Sequence, residues 1–267
     1  PLIDVVKVPN PLALPGGPGP VTYTYTLRNI GTVPVSDITM VGDTCSPVVL
    51  VSGDDNVNTK LETSETWTYR CSTTLSTTHT NTIVATGWAN GVSAVDIASA
   101  IVVVGAPVIP PLIHVTKNPH PLTIGVGGGV ATYTVRVTNP GTVSLGNVRL
   151  TDNVCSPMQY VAGDTNNDTT LGSTEAWTYT CQANLMETTT STVIAAGDAN
   201  GLIARDLAIA TVVVAAAPGL PKTGAAPIGG ILLWGLLVTG VVVGTVTHAT
   251  MRSERLHHVG GRISRKR

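Results

Sequence analysis

Phenylalanine is absent from the 267 residues, and all aromatic residues together make up 4%. Charged residues are scarce at 12%, about half of the roughly 25% usual in soluble domains. The formal net charge is −1, which argues against nucleic acid as a partner bound through overall basicity. Only four cysteines occur, with no CxxC and no Cys-His cluster, so a zinc site is not expected. The six histidines form no Ser-His-Asp or Cys-His set. The glycine run at 125–130 lacks the Gly-Lys-Ser/Thr of a phosphate loop. Catalysis is therefore not expected, and no cofactor is required. Glycine (28) and proline (18) fall short of the roughly 25–30% share that marks low-complexity disorder.

The small net charge hides an asymmetry. Before Gly224 there are 9 Lys/Arg against 15 Asp/Glu, and after Thr247 there are 6 against 1. Between them Ala225 to Thr247 carries no charge. Ile228 to Val246 is continuously apolar or small, close to the roughly 20 residues that cross a hydrocarbon core as a helix. Arg252, Arg255, Arg262, Arg265, Lys266 and Arg267 follow it, which predicts a cytoplasmic C-terminus and an external N-terminal part. No secretory leader is visible at Pro1, so a mature form or a fragment of a longer protein is expected.

Leu220-Pro221-Lys222-Thr223-Gly224 stands just before the apolar run. Followed by that run and a basic tail, it resembles the LPxTG sorting signal of Gram-positive surface proteins. The resemblance implies cleavage by a sortase between Thr223 and Gly224 and transfer of the Thr223 carboxyl to a peptidoglycan amine. A permanently membrane-anchored surface protein is the alternative.

The rest of the chain is a tandem repeat. More than two fifths of positions 1–105 are identical to the residue 110 places on, without gaps. Cys45-Ser46-Pro47 matches Cys155-Ser156-Pro157, and Trp67-Thr68-Tyr69 with Cys71 matches Trp177-Thr178-Tyr179 with Cys181. The Pro-rich joint 106–111 is expected to be stiff and to hold the two copies extended. Alternation such as Tyr23, Tyr25 and Leu27 against Thr22, Thr24 and Thr26 predicts half-buried strands. Strands are placed near 2–8, 21–28, 33–41, 47–52, 65–72, 79–88 and 92–104, and again one repeat later. About seven short strands per unit predict two tandem immunoglobulin-like β-sandwiches, an all-β class, followed by one C-terminal transmembrane helix. The expected segments are repeat 1 at 1–105, the linker at 106–111 and repeat 2 at 112–216. A linker with the sorting motif (217–227), the transmembrane helix (228–247) and a basic cytoplasmic tail (248–267) follow. The runs VTYTYTLRNIGTVPVSDI and GDDNVNTKLETSETWTYRC, with their partners, resemble conserved repeat domains found in tandem in bacterial surface proteins. That likeness implies an immunoglobulin-like surface stalk or adhesin.

Each repeat holds one cysteine pair, and an external location permits disulfides, predicted here as Cys45–Cys71 and Cys155–Cys181. Asp164, Asn166, Asp168, Thr170 and Glu175 occupy positions 1, 3, 5, 7 and 12 of a calcium-type loop. Asp54, Asn56, Asn58, Lys60 and Glu65 stand at the same places in repeat 1, with Thr59 and Thr169 where glycine is usual. Ca²⁺ is thus a possible ligand, and a polar turn capped by its own side chains is the plainer reading. Lys7 and Lys117 lie on first strands, with Asn90, Asp96, Asn200 and Asp206 near last strands. A Lys–Asn amide cross-link helped by Glu65 or Glu175 is chemically open, but an exposed lysine and a turn-forming Asn-Gly are expected. The function expected is a wall-anchored stalk or spacer whose partners are sortase, peptidoglycan and the membrane. An adhesin-type module gripping a host or neighbour-cell ligand is the alternative.

Overall fold

The computed structural model describes residues 1–217. The sorting motif, the apolar run and the basic tail lie outside the described residues. No helix among the described residues is long and apolar enough to cross a membrane.

The first repeat contains β1 (Ile3–Asn10), β2 (Ala13–Leu14), β3 (Gly19–Asn29), β4 (Ser36–Gly42), β5 (Val49–Ser52), β6 (Thr66–Leu75), β7 (His79–Ala89) and β8 (Val92–Val104). The second contains β9 (His114–His120), β10 (Thr123–Ile124), β11 (Gly129–Thr138), β12 (Gly146–Asp152), β13 (Gln159–Ala162), β14 (Ala176–Leu185), β15 (Thr189–Ala199) and β16 (Leu202–Val214). One sheet of repeat 1 runs β1-β3-β6-β5, and the facing strands run β8-β7-β4. Repeat 2 places β9-β11-β14-β13 against β16-β15-β12. This division of seven antiparallel strands is the ABED and CFG arrangement of an immunoglobulin-like sandwich. The two-residue strands β2 and β10 add parallel pairs to β8 and β16, which the sequence pattern did not signal.

The Tyr/Thr alternation explains the layering. Along β3, Val21, Tyr23, Tyr25 and Leu27 are buried, while the threonines between them lie nearer solvent. Trp67, Tyr69 and Cys71 do the same on β6. With no phenylalanine, tyrosines and tryptophans supply the aromatic side chains of a core otherwise built mainly from Val, Leu, Ile and Ala.

The expectation of an extended pair is corrected. β8 and β16 pair antiparallel at Ile97 and Leu207, joining the two three-stranded faces into one sheet. Pro110 and Pro111 of the joint, with Leu112 that follows, are buried, so the end of the joint packs into the molecule and does not hold the copies apart. Ile97 and Leu207 are each other's repeat equivalents. A strand that meets its own equivalent in antiparallel fashion defines a local two-fold axis, as in an isologous dimer.

Candidate functional sites

At that axis lie four more residues in two equivalent pairs, Asp4 with His114 and Asp96 with Asp206. His114 Nε2 is 3.0 Å from Asp4 Oδ1, and its Nδ1 is 3.0 Å from Asp206 Oδ2. Arg28 donates to Asp4 Oδ2 at 2.6 Å. Asp96 Oδ2 accepts from the Val5 amide at 2.7 Å, and Asp206 Oδ2 from the Val115 amide at 2.9 Å. Burial works against charge on His114, yet its bonds to Asp206 and Asp4 outweigh this and lift it to about 10. Burial likewise raises Asp206 to about 6, with His114 opposing. Burial also pushes Asp96 well up, reinforced by the neighbouring Asp206 and Asp4. Burial would raise Asp4 too, but His114 and Arg28 hold it below its ordinary value. The cluster thus binds the repeats to each other. The sequence reading missed it because Asp4 and His114 differ in type. The unmatched His114 was the available signal.

The structure joins Cys45 to Cys71 and Cys155 to Cys181, each with Cα atoms 5.9 Å apart. Each bridge ties β6 or β14 to the segment following β4 or β12, and so links the two sheets of its sandwich.

The acidic loops form the same way in both repeats. Asp54 accepts from the amides of Asn58 (3.1 Å) and Thr59 (3.0 Å), as Asp164 does from Asp168 (3.2 Å) and Thr169 (3.0 Å). Asn56 and Asn166 take a further bond from the same amides of Asn58 and Asp168. Glu65 accepts from Asp55 and Glu62, and Glu175 from Thr165 and Gly172. Thr59 and Thr169 stand at φ 62° and 61°, so the sharp turn forms without glycine. In repeat 2, oxygens of Asp164, Asp168 and Glu175 lie within 4.8 Å of one another. Asn166 touches Asp168 through its amide nitrogen, and Thr170 donates its amide and hydroxyl to Asp168. Amides of Gly172 and Thr165 hold Glu175 below its ordinary value, and Thr170 does the same for Asp168. All six carboxylate oxygens therefore already accept hydrogen bonds. Repeat 1 builds the same turn with the amide Asn58 in place of Asp168, so backbone capping accounts for the loop in both copies.

Beside each loop lies an open groove. The second, about 530 Å³, is lined by Val148, Tyr160, Asp164, Thr169, Trp177 and Tyr179. Tyr160, half exposed, meets Trp177 and Tyr179 edge-on, with ring centroids 5.9 and 5.4 Å away. Leu50 replaces Tyr160 in the first groove, about 460 Å³. Trp67 Nε1 donates to Glu65 at 3.1 Å, whereas the buried Trp177 Nε1 has no partner.

The lysines overturn the expectation of exposure, since Lys7 and Lys117 are 3% and 1% exposed. Asn90 and Asn200 do form turns, at φ 53°, and lie at the surface away from the lysines. Lys7 Nζ instead meets Asn81 Oδ1, whose Nδ2 donates to Asp43 Oδ1. Glu65 and Glu175 sit in the acidic loops, and Asp96 and Asp206 at the repeat junction. Neither pair serves these lysines.

No protein-family model matches the sequence, and no curated protein matches it. Among solved structures, the fold is similar to red sea bream transglutaminase over 80% of this chain and 31% of that one (14% identity, TM-score 0.27). It is similar to the E. coli alpha-2-macroglobulin over 80% of this chain and 17% of that one (14%, 0.29). The C-terminal domain of the Streptococcus agalactiae AgI/II polypeptide BspA matches 73% of this chain and 93% of its own (10%, 0.21). The chain thus spans less than a third of the first two proteins. At these scores the fold rests on the strand order itself.

Proposed function

We propose that this is an extracellular, non-enzymatic surface protein. A sortase would anchor it to a Gram-positive cell wall through Thr223, and its two sandwiches would form a rigid spacer. The observation that carries this reading is a sequence one: LPKTG, an uncharged apolar run and a basic tail follow one another directly after an all-β pair. Two disulfides support exposure to an oxidising compartment. The buried titratable groups support a structural role, because the Asp4–His114–Asp206 set pairs internally and offers no open face. The membrane run would hold the chain until transfer, and peptidoglycan would be the acceptor. Thr223→Ala tests this. Wall-fraction protein should fall to background and membrane-fraction protein should rise; unchanged wall attachment would refute the anchoring.

A second reading, an adhesin-type module, is favoured by one observation. In the groove of repeat 2 the half-exposed ring of Tyr160 stands edge-on to Trp177 and Tyr179 and lines the opening together with Asp164, chemistry that suits a sugar face and its hydroxyls. Binding of the protein to a glycan array, lost in Tyr160→Ala, would support it. Equal binding by the variant would remove it.

A further inference from the structure

Lys7 has an unusual setting for a lysine. It lies on β1, buried under the rings of Tyr23 and Tyr25, with Nζ 4.7 and 5.6 Å from their centroids. Among the described residues it makes no ion pair within salt-bridge distance. Its contact is the side-chain carbonyl of Asn81 on β7, itself wholly buried. The nitrogen of the same amide donates to Asp43 and to Thr44 Oγ1. Asp43 is held in turn by the Thr82 amide at 3.1 Å and the Thr44 hydroxyl at 3.1 Å. An amine, an amide and a carboxylate therefore stand in line, from the buried Lys7 and Asn81 out to Asp43 at the surface.

Repeat 2 is the internal control. Ser191 replaces Asn81 and Asn153 replaces Asp43, while the carboxylate moves one place back to Asp152, where repeat 1 has Gly42. Lys117 is there in an ion pair with Asp152 and a hydrogen bond with Ser191, which bonds Asp152 at 2.9 Å. That set gives an ammonium ion a facing carboxylate, a hydroxyl acceptor and the ring of Tyr133. The repeat 1 set replaces the facing carboxylate with an electrophilic carbon.

We propose that repeat 1 closes an amide cross-link between Lys7 Nζ and Asn81 Cγ, with Asp43 as proton carrier, and that repeat 2 keeps an ion pair instead. The neutral amine adds to Cγ, and its proton passes through Asp43 to Nδ2. The Cγ–Nδ2 bond then breaks and ammonia leaves. A primary amide and an amine become a secondary amide and ammonia, with no oxidant or co-reactant. Burial lowers Lys7 to about 7, with Asp43 opposing, so a large fraction is unprotonated at neutral pH. The product would tie β1 to β7 in the facing sheet, a second covalent strut beside Cys45–Cys71.

Intact mass of the reduced full chain, followed by a tryptic map, tests this. The expected mass is about 17 Da below the sequence mass, the loss of one ammonia per cross-link. The map should show no cleavage after Lys7 and residues 1–28 joined to 71–117. Asn81→Ser and Asp43→Ala should each restore the full mass. A wild-type chain at full mass, with cleavage after Lys7, overturns the proposal. So does a loss of the same size confined to Asn90-Gly91 or Asn200-Gly201, which marks a succinimide. The wild-type measurement decides the matter even if a variant fails to fold.

Discussion

Asp4 and His114 hold equivalent places, and the local two-fold brings them face to face at 3.0 Å. Two aspartates there would repel in a buried site. A histidine converts the same contact into an ion pair, so the asymmetry between copies permits the symmetric packing. His114→Gln should cost roughly 3 kcal/mol, because it leaves buried carboxylates uncompensated. The pH dependence follows from its sign. The folded-state value of about 10 lies above the ordinary 6.5, so this contribution is full below about 6.5 and is lost as pH rises through about 10. The gap in melting temperature between wild type and variant should be widest near pH 6.5 and should close near pH 10. A gap constant over that range would contradict the pairing. At the same scale, replacing Cys45 and Cys71 by serine should lower stability by about 3.5 kcal/mol for a separation of 26 residues, measured by denaturant unfolding.

Among the elements, the strands were legible because Thr/Tyr alternation has the period of a half-buried sheet. Six of the seven placements per repeat fall within a few residues of β1, β3, β5, β6, β7 and β8. The remaining one, from 33, starts early: β4 begins at Ser36, and Val35 makes only an isolated bridge to Leu61. β2 and β10 were not legible, since two-residue strands have no period. The cross-sheet partners of Lys7 were also hidden. Proximity to the last strand suggested Asn90, but only tertiary register puts Asn81 opposite the lysine. The calcium-type spacing was legible as a pattern, yet its meaning depends on backbone donors that a sequence does not show. Capping by the amides of Asp168, Thr169 and Thr170 should hold the loop without a cation. Chelation should therefore leave the melting temperature unchanged, and a fall on adding EDTA would point to bound Ca²⁺. The strand that leads into this loop needs a glycine. Gly163 adopts φ 133°, and an added Cβ would lie 2.2 Å from the Ala176 carbonyl oxygen. Gly163→Ala should cost roughly 2–3 kcal/mol, seen as a lower midpoint in thermal unfolding.

For the whole molecule, the gapless repeat made the paired architecture plain, and the strand order agrees with the sandwich class. The side-by-side packing was not legible. Proline in a joint signals stiffness, but only the buried Pro110–Leu112 segment and the Ile97–Leu207 pair show that the copies are fastened together. A fastened block, doubly disulfide-bonded, suits a short and rigid spacer better than a flexible tether. The opening scarcities also acquire places. Few charges remain on the outer strands because threonine covers them, and several of those present are buried at the junction. Anchoring at Thr223 is the central claim, and one measurement reaches it directly. Protein released from walls by a muramidase should yield a C-terminal peptide ending at Thr223 and carrying a peptidoglycan stem amine. Recovery of the chain only from membranes, with residues 224–267 still attached, would contradict the account.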